Sequence, residues 1–203
     1  GVMAVGHIRG GGEYGKEWHL AGQNLNKQKN VDDFIACAEY LVEKGYTSQP
    51  YLAGEGVSGG GIPSGNSLVQ RPDLWAVMVM KVAVTNFLRF EFTENGPPNI
   101  PEFGTITNEE GFLALQQADS YHEVKNGVNY PAAFITTGLN DPRVVVWQAT
   151  KMAARLQAAS ASGKPILLRV EKHGGHGMGS TRFQVNAELA DKLAFLLDQF
   201  KKD

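Results

Sequence analysis

The stretch that most constrains this chain is Gly56-Val57-Ser58-Gly59-Gly60, a Gly-x-Ser-x-Gly motif between an apolar run and an amphipathic segment. A strand, a sharp turn and a helix in that order form a nucleophile elbow, which strains the serine backbone and exposes its hydroxyl. Positions beside the serine must then be small, a demand that we expect Gly56, Gly59, Gly60 and Gly61 to meet. The motif alone is equally compatible with a glycine-rich turn that carries an incidental serine.

Composition limits the class of protein. The chain has 203 residues, of which 42% are hydrophobic and 20% are charged, values typical of one soluble globular domain. The formal net charge of -2 gives no general attraction to nucleic acid. Neither a run of membrane-spanning length nor a signal peptide is visible, so we expect no membrane association, and the compartment is left open. Cys37 is the single cysteine and is expected to be a small buried residue of a helix.

Hydrophobic patterning alternates between strands and helices, which predicts an α/β sandwich around a mainly parallel sheet of about five strands, with helices on both faces. Residues 1–203 are taken as one domain. The predicted strands are 2–8, 51–58, 75–84, 132–139 and 166–170. The predicted helices are 30–45, with Asn30 as N-cap, then 108–117, 143–160 and 181–201. Within the irregular segment 86–119, the proline-rich stretch 95–101 is expected to be neither helix nor central strand.

Glycines 10, 11 and 12 begin a stretch that formally fits the dinucleotide fingerprint Gly-x-Gly-x-x-Gly, which ends at Gly15. That site requires a helix that starts inside the loop, whereas 16–29 is polar and has no sustained apolar face. We therefore expect no dinucleotide and no other cofactor. Zinc is disfavoured too, because the histidines lack ligand spacing and there is one cysteine.

Three chemically competent residues each follow a predicted strand. They are Ser58, Asp141 and His176, in the chain order of the α/β-hydrolase triad. Active sites of open parallel sheets gather at the carboxyl ends of the strands, so these side chains are expected to meet there. His176 would accept the serine proton, Asp141 would orient the imidazole, and the Gly59 N–H would stabilise the oxyanion.

Other interpretations of these residues remain open at this stage. Asp141 could be a turn former or a cap for the following helix. His176 could be a loop histidine bonded to backbone, and His173 is its main rival as the base. The glycines on both sides of His176 favour it, because they let the loop reach across the sheet edge. The remaining histidines, His7, His19 and His122, are expected at the surface.

Five stretches spread along the chain resemble the catalytic domain of the prolyl oligopeptidase family of serine peptidases. They are 7–15, the elbow around Ser58, 70–74, 138–144 and 175–177. Residues 95–104 are similar to the bacterial branch of that family. The resemblance implies a truncated α/β-hydrolase fold and a triad of Ser58, Asp141 and His176. It also implies that Arg143 binds a backbone carbonyl of a peptide substrate.

Departures from the family pattern bear on specificity and rate. Asn99 stands where better-known members carry the tryptophan on which a substrate proline stacks, which weakens proline specificity. The resemblance further implies that the family's β-propeller and several hydrolase strands precede residue 1 and are lacking here. The second oxyanion donor, a tyrosine hydroxyl on that part, would be lacking with them, at a cost of about 100- to 1,000-fold in rate.

A triad beside an incomplete oxyanion hole predicts a serine hydrolase that favours short-chain carboxylic esters. The first alternative is a peptidase of the prolyl oligopeptidase type, or its catalytic piece, that cleaves short peptides. The second is a non-catalytic fragment that self-associates. In the resembling fold, a strand that this chain lacks separates 2–8 from the Ser58 strand. The strand could therefore shift to pair with its neighbour, a second copy could fill the gap as a homodimer, or the upstream segment could be present elsewhere.

Overall fold

A computed structural model describes residues 1–177 and 180–200. In that part of the chain, four strands form one parallel sheet in the order β1-β2-β3-β4. Their bounds are β1 Ala53–Val57, β2 Val77–Lys81, β3 Ala132–Gly138 and β4 Ile166–Glu171. All four strands therefore end at the same edge of the sheet.

Eight α-helices accompany the sheet within the described residues. They are α1 Lys16–Leu20, α2 Gln28–Glu43, α3 Gly61–Gln70, α4 Ile100–Phe103, α5 Glu109–Gln117, α6 Ser120–Glu123, α7 Trp147–Ala159 and α8 Arg182–Phe200. No helix in this part of the chain is long and apolar enough to cross a membrane. The predicted end of the last helix, Lys201, and the predicted loop residues Met178 and Gly179 lie outside the described residues.

Each face of the sheet is covered, as the patterning predicted. Met78, Met80, Ala133 and Ile135 point to one face, where they share a core with α2, α3 and α7. The residues that alternate with them, such as Val77 and Phe134, point to the other face and pack against Phe195 of α8. β3 is buried along its whole length, as expected for an inner strand of a parallel sheet.

The predicted strand at 2–8 is wrong. The segment has no regular secondary structure and belongs to no sheet, and Val2 and Met3 are almost fully exposed. Strands are stabilised by pairing, and the sheet ends at β1 without reaching this segment. Instead the segment lies along α2: a Cβ placed on Gly6 would sit 3.3 Å from the Cys37 sulfur. The described sheet accordingly has four strands rather than five.

Two predictions about side chains also need correction. Cys37 is exposed rather than buried, because the 2–8 segment that lies over it covers it only in part. Asn30 does not cap α2; it is a buried residue of the first helical turn, and its side-chain amide donates to the carbonyls of Arg9 and Gly22. The helix begins two residues earlier, at Gln28.

Residues 95–101 contain more helix than predicted. A 3-10 turn spans Pro97–Asn99, and α4 follows it directly. Proline is compatible with a first helical turn because the N–H that it lacks has no intrahelical partner there. The predicted helix at 108–117 is confirmed as α5, with the Asn108 side chain accepting from the Gly111 N–H as its N-cap.

Asp33 connects α2 to the glycine-rich loop that follows 2–8. Its Oδ2 accepts hydrogen bonds of 2.8 Å from both the backbone N–H and Nε of Arg9. These contacts, led by the side-chain hydrogen bond, hold the pKa of Asp33 below its usual value. A carboxyl with a depressed folded-state pKa stabilises the fold above its unfolded pKa, and that contribution is lost as the pH falls through the folded value.

Asp33→Asn should therefore lower the free energy of unfolding by about 1–3 kcal/mol at pH 7. The deficit should begin to shrink below a pH of about 4, where the carboxyl of the unfolded chain takes up its proton, and should disappear as the pH falls through the lower folded-state pKa. Urea unfolding at several pH values measures it. Asp32→Asn is the matched control, since Asp32 is exposed and its side chain accepts a hydrogen bond from Gln28 rather than from Arg9. Equal pH dependence of both variants would contradict the assignment.

Candidate active site

Ser58 sits at the turn between β1 and α3. Its φ is +56°, a left-handed conformation that is costly for a residue with a side chain. The backbone on both sides is fixed: β1 ends at Val57, and the Ser58 carbonyl accepts from the Val84 N–H at 3.0 Å. The predicted nucleophile elbow is thus present, with the strain expected of it.

Only two of the four predicted elbow glycines are sterically required. A Cβ on Gly56 would lie 2.1 Å from the Gly60 carbonyl oxygen, and one on Gly61 would lie 2.7 Å from the Val84 nitrogen. A Cβ on Gly60 would meet nothing within 4 Å, and one on Gly59 would approach only Phe103, at 3.8 Å. The close packing of strand against helix therefore depends on Gly56 and Gly61.

A continuous hydrogen-bonded chain joins the three predicted residues. His176 Nε2 lies 2.8 Å from Ser58 Oγ, and His176 Nδ1 lies 2.8 Å from Asp141 Oδ2. With a carboxylate as its partner, Nδ1 carries the ring proton, which leaves Nε2 free to accept the serine proton. The His176 side chain is 8% exposed and that of Asp141 is fully buried, so little water competes for these bonds.

Asp141 makes the contacts of a turn former as well as the hydrogen bond to His176. Its Oδ1 accepts from the backbone N–H groups of Arg143 and Val144, at 2.8 and 2.9 Å. Its other oxygen is thereby directed at the imidazole. The turn-forming interpretation and the triad interpretation of Asp141 are therefore compatible, since each carboxylate oxygen serves one of them.

The loop that carries His176 rests on the end of β3. The Asn140 N–H donates to the Gly174 carbonyl, and the Leu139 N–H donates to the Glu171 carbonyl, each at 3.0 Å. A Cβ on Gly138 would lie 2.2 Å from the Gly175 carbonyl oxygen. Gly138 is thus needed for the histidine loop to lie close enough to reach Ser58, a role that sequence reasoning missed because the contact is between distant residues.

Next to the nucleophile lies a ring that sequence reasoning also missed. Phe103, at the end of α4, is half-buried, and its Cζ is the atom nearest to a Cβ built on Gly59. Phe87 and Phe90 pack edge-on against it, with centroids 5.4 and 5.3 Å away. Phe103 was missed because the proline-rich stretch before it predicted no helix, whereas α4 is the helix that positions the ring.

The two predicted substrate-binding residues belong to one hydrogen-bonded group. Asn99 donates through Nδ2 to the Asn95 carbonyl at 2.7 Å, and Asn95 donates through its own Nδ2 to the Arg143 carbonyl at 3.2 Å. Arg143 is exposed two residues after Asp141. Within the described part of the chain its guanidinium has no hydrogen-bond or ion-pair partner, so it is free to bind a ligand.

The structure also bears on the alternative base, His173, and on metal binding. His173 is exposed and bonds neither Ser58 nor Asp141. Across residues 1–177 and 180–200, no group of three or more His, Cys, Asp or Glu is arranged to hold a metal ion.

Comparison with known proteins places this site in a family. The model of the prolyl oligopeptidase family matches residues 1–203. The chain belongs to the prolyl oligopeptidase family. A prolyl endopeptidase of Elizabethkingia meningoseptica is 42% identical over 198 residues, which are 97% of this chain and 28% of that protein. The chain thus spans less than a third of the length of that relative.

Solved structures agree with this assignment. One from an analysis of two prolyl endopeptidases superposes with a TM-score of 0.93 at 37% identity, covering 97% of this chain and 29% of that one. Oligopeptidase B from Leishmania major superposes with a TM-score of 0.92 at 30% identity, covering 96% of this chain and 28% of that one. The α/β-hydrolase architecture predicted from the resemblance is therefore confirmed.

Gly138→Ala tests how closely the histidine loop must approach. The added methyl should push the loop off β3 and misplace His176, which should slow labelling of Ser58 by a fluorophosphonate about 100-fold. Labelling kinetics followed by mass spectrometry measure this loss. Gly12→Ala is the control, because a Cβ there meets nothing within 4 Å. If Gly138→Ala is labelled at the wild-type rate, the close approach is not required.

Proposed function

We propose that the chain carries the acyl-transfer site of a serine peptidase that cleaves short peptides. The observation that carries the proposal is the hydrogen-bonded chain from Ser58 through His176 to Asp141, with both links at 2.8 Å. A strained nucleophile, a base within reach of its proton and a carboxylate that orients the base are the parts that acyl transfer requires.

The reaction begins when Ser58 Oγ attacks the carbonyl carbon and its proton passes to His176 Nε2. The Asp141 carboxylate stabilises the imidazolium that results. When the tetrahedral intermediate collapses, the leaving amine takes the proton from Nε2, and the acyl group remains on Ser58 as an ester. Water then attacks that ester, again giving its proton to Nε2, and the acid is released as Ser58 regains its hydrogen.

The negative oxygen of each tetrahedral intermediate needs donors already in place. Gly59 supplies one, because it is the second residue of the 3-10 turn Ser58–Gly60 that leads into α3, and the first N–H groups of a helix have no intrahelical partner. The resemblance implies a tyrosine hydroxyl outside this chain as the second donor. Removing one such donor typically costs about 100- to 1,000-fold in rate, so the chain alone should be a slow catalyst.

Peptides are the better substrate proposal. The sequence favoured short-chain esters because an incomplete oxyanion hole suits easily cleaved acyl groups. The relatives are instead prolyl endopeptidases and an oligopeptidase. The exposed Arg143 guanidinium, which has no partner among the described residues, follows the triad carboxylate by two residues and would supply a donor for a peptide carbonyl. A homodimer remains a prediction, because nothing observed here supports one.

Ser58→Ala should abolish labelling by a fluorophosphonate and reduce turnover on the order of a million-fold, because the nucleophile is removed. Intact-mass measurement of the labelled chain provides the first readout, and the residue modified is located by peptide mapping. Ser48→Ala is the control, since Ser48 lies in the turn before β1 and outside the triad. Labelling that survives in Ser58→Ala would refute the assignment.

A substrate comparison separates peptidase from esterase. We expect kcat/KM for a blocked short peptide amide to rise relative to that for p-nitrophenyl acetate when the chain is assayed within a full-length family protein. The added oxyanion donor matters more for the amide, which is the harder bond to break. The increase in that ratio should be about 10-fold or more. An unchanged ratio, with ester hydrolysis dominant in both forms, would support the esterase instead.

A further inference from the structure

The four-residue helix α4 holds Phe103 beside the nucleophile. A helix this short has no stability of its own, because nucleation costs more than one turn of hydrogen bonds returns. Its position must therefore be set by what it touches. On one side Phe103 packs against Phe87 and Phe90, and on the other α4 meets the segment between α1 and α2.

Charged contacts join α4 to that segment and to α1. Glu102 Oε1 lies 2.5 Å from Lys27 Nζ, and Glu102 Oε2 lies 2.7 Å from His19 Nε2. His19, predicted at the surface, is instead partly buried at this contact. One carboxylate thus bonds a side chain of α1 and a side chain of the segment after α1, which are 83 and 75 residues away in sequence.

Lys27 is the unusual member of this group. Its side chain is 5% exposed, whereas lysine is almost never buried without a partner. Burial lowers the pKa of Lys27, and the hydrogen bond and charge of Glu102 oppose that shift. The Lys27 ammonium also lies 5.2 Å from the centre of the Phe103 ring, so it contacts both the carboxylate and the ring of α4.

Neutral contacts fix the same helix. The Gln23 side chain donates to the Pro101 carbonyl at 2.9 Å. Gly104 ends α4 with a φ of +91°, and a Cβ there would lie 2.6 Å from Asn24 Oδ1. α4 is therefore attached closely to this segment, and the ion pair between buried Lys27 and half-buried Glu102 is its charged attachment point.

We propose that Glu102 is a positioning residue which, through Lys27, holds the Phe103 ring beside Gly59 as an apolar wall of the pocket for the substrate's acyl side chain. This inference rests on the proposed function, because it concerns what the acyl group of that reaction touches. A large acyl group should contact the wall, whereas an acetyl group should be too small to reach it. Loss of the pair should therefore weaken binding of large acyl groups and leave serine reactivity intact.

Glu102→Gln and Lys27→Met remove the charges while keeping most of each side chain. For p-nitrophenyl 3-phenylpropanoate we expect KM to rise about 10-fold in either variant, with kcat within about threefold, the signature of lost uniform binding. For p-nitrophenyl acetate, kcat/KM should change less than about twofold by the same reasoning. The labelling rate with a small fluorophosphonate should be unchanged.

The double variant tests whether the two residues act as a pair. If they do, Glu102→Gln combined with Lys27→Met should raise KM about as much as either change alone, rather than by about 100-fold. Glu43→Gln is the matched control, since it removes an exposed ion pair with Lys44 at the end of α2. It should leave KM and kcat unchanged for both esters. Thermal unfolding of every variant shows how much of each is folded.

Each alternative result has one meaning. Equal losses for the acetate and the phenylpropanoate would show general damage to the site and overturn the positioning role. Additive increases of KM in the double variant would also overturn it. The same holds if Glu102→Gln has the same KM for the phenylpropanoate as Glu43→Gln. A wild-type chain whose Ser58 is not labelled would overturn the proposed function and this inference with it. A labelled wild type with unaffected variants would overturn the inference alone.

Discussion

The structure depends above all on parallel strands that end at a common edge. β1, β3 and β4 deliver the elbow, the Asp141 turn and the His176 loop to that edge, although Ser58 and His176 are 118 residues apart in sequence. Parallel strands need long crossovers, and the crossover helices α3 and α7 cover one face of the sheet, whereas α8, which follows β4, covers the other. The sheet that forms the core thus also aligns three loops to within hydrogen-bonding distance.

Holding the loops there has a cost, which the surrounding packing offsets. The left-handed backbone of Ser58 is strained by about 1–3 kcal/mol, and it persists because β1 and α3 fix the chain on either side. Gly56 and Gly61 allow strand and helix to approach, and Gly138 does the same for the histidine loop. The strained serine and the three glycines serve the same purpose. Each allows two segments of the backbone to lie close together, and together they set the relative positions of the loops that carry the triad.

Much of this was predictable from sequence, for identifiable reasons. The inner strands are long apolar runs, and the residues of the triad follow strands in hydrolase order, so Ser58, Asp141 and His176 could be named. Strand 2–8 was predicted wrongly because its apolar residues fit a strand, while pairing depends on neighbours that a local pattern does not include. Phe103 and Gly138 were missed because their contacts, with Gly59 and with Gly175, join residues far apart in the chain.

Contacts between distant residues also explain why substrate specificity is harder to predict from sequence than reaction chemistry. The triad needs a nucleophile, a base and a residue that orients the base, which few residue types can supply, so a pattern search finds them. The wall of an acyl pocket needs only an apolar ring at a suitable place, and what determines that place is a buried lysine paired with Glu102. Lys27 stands in a polar stretch without periodicity, and its burial follows from α4 packing over it. Substrate preference can therefore diverge within a shared hydrolase fold through residues that never touch the reacting atoms.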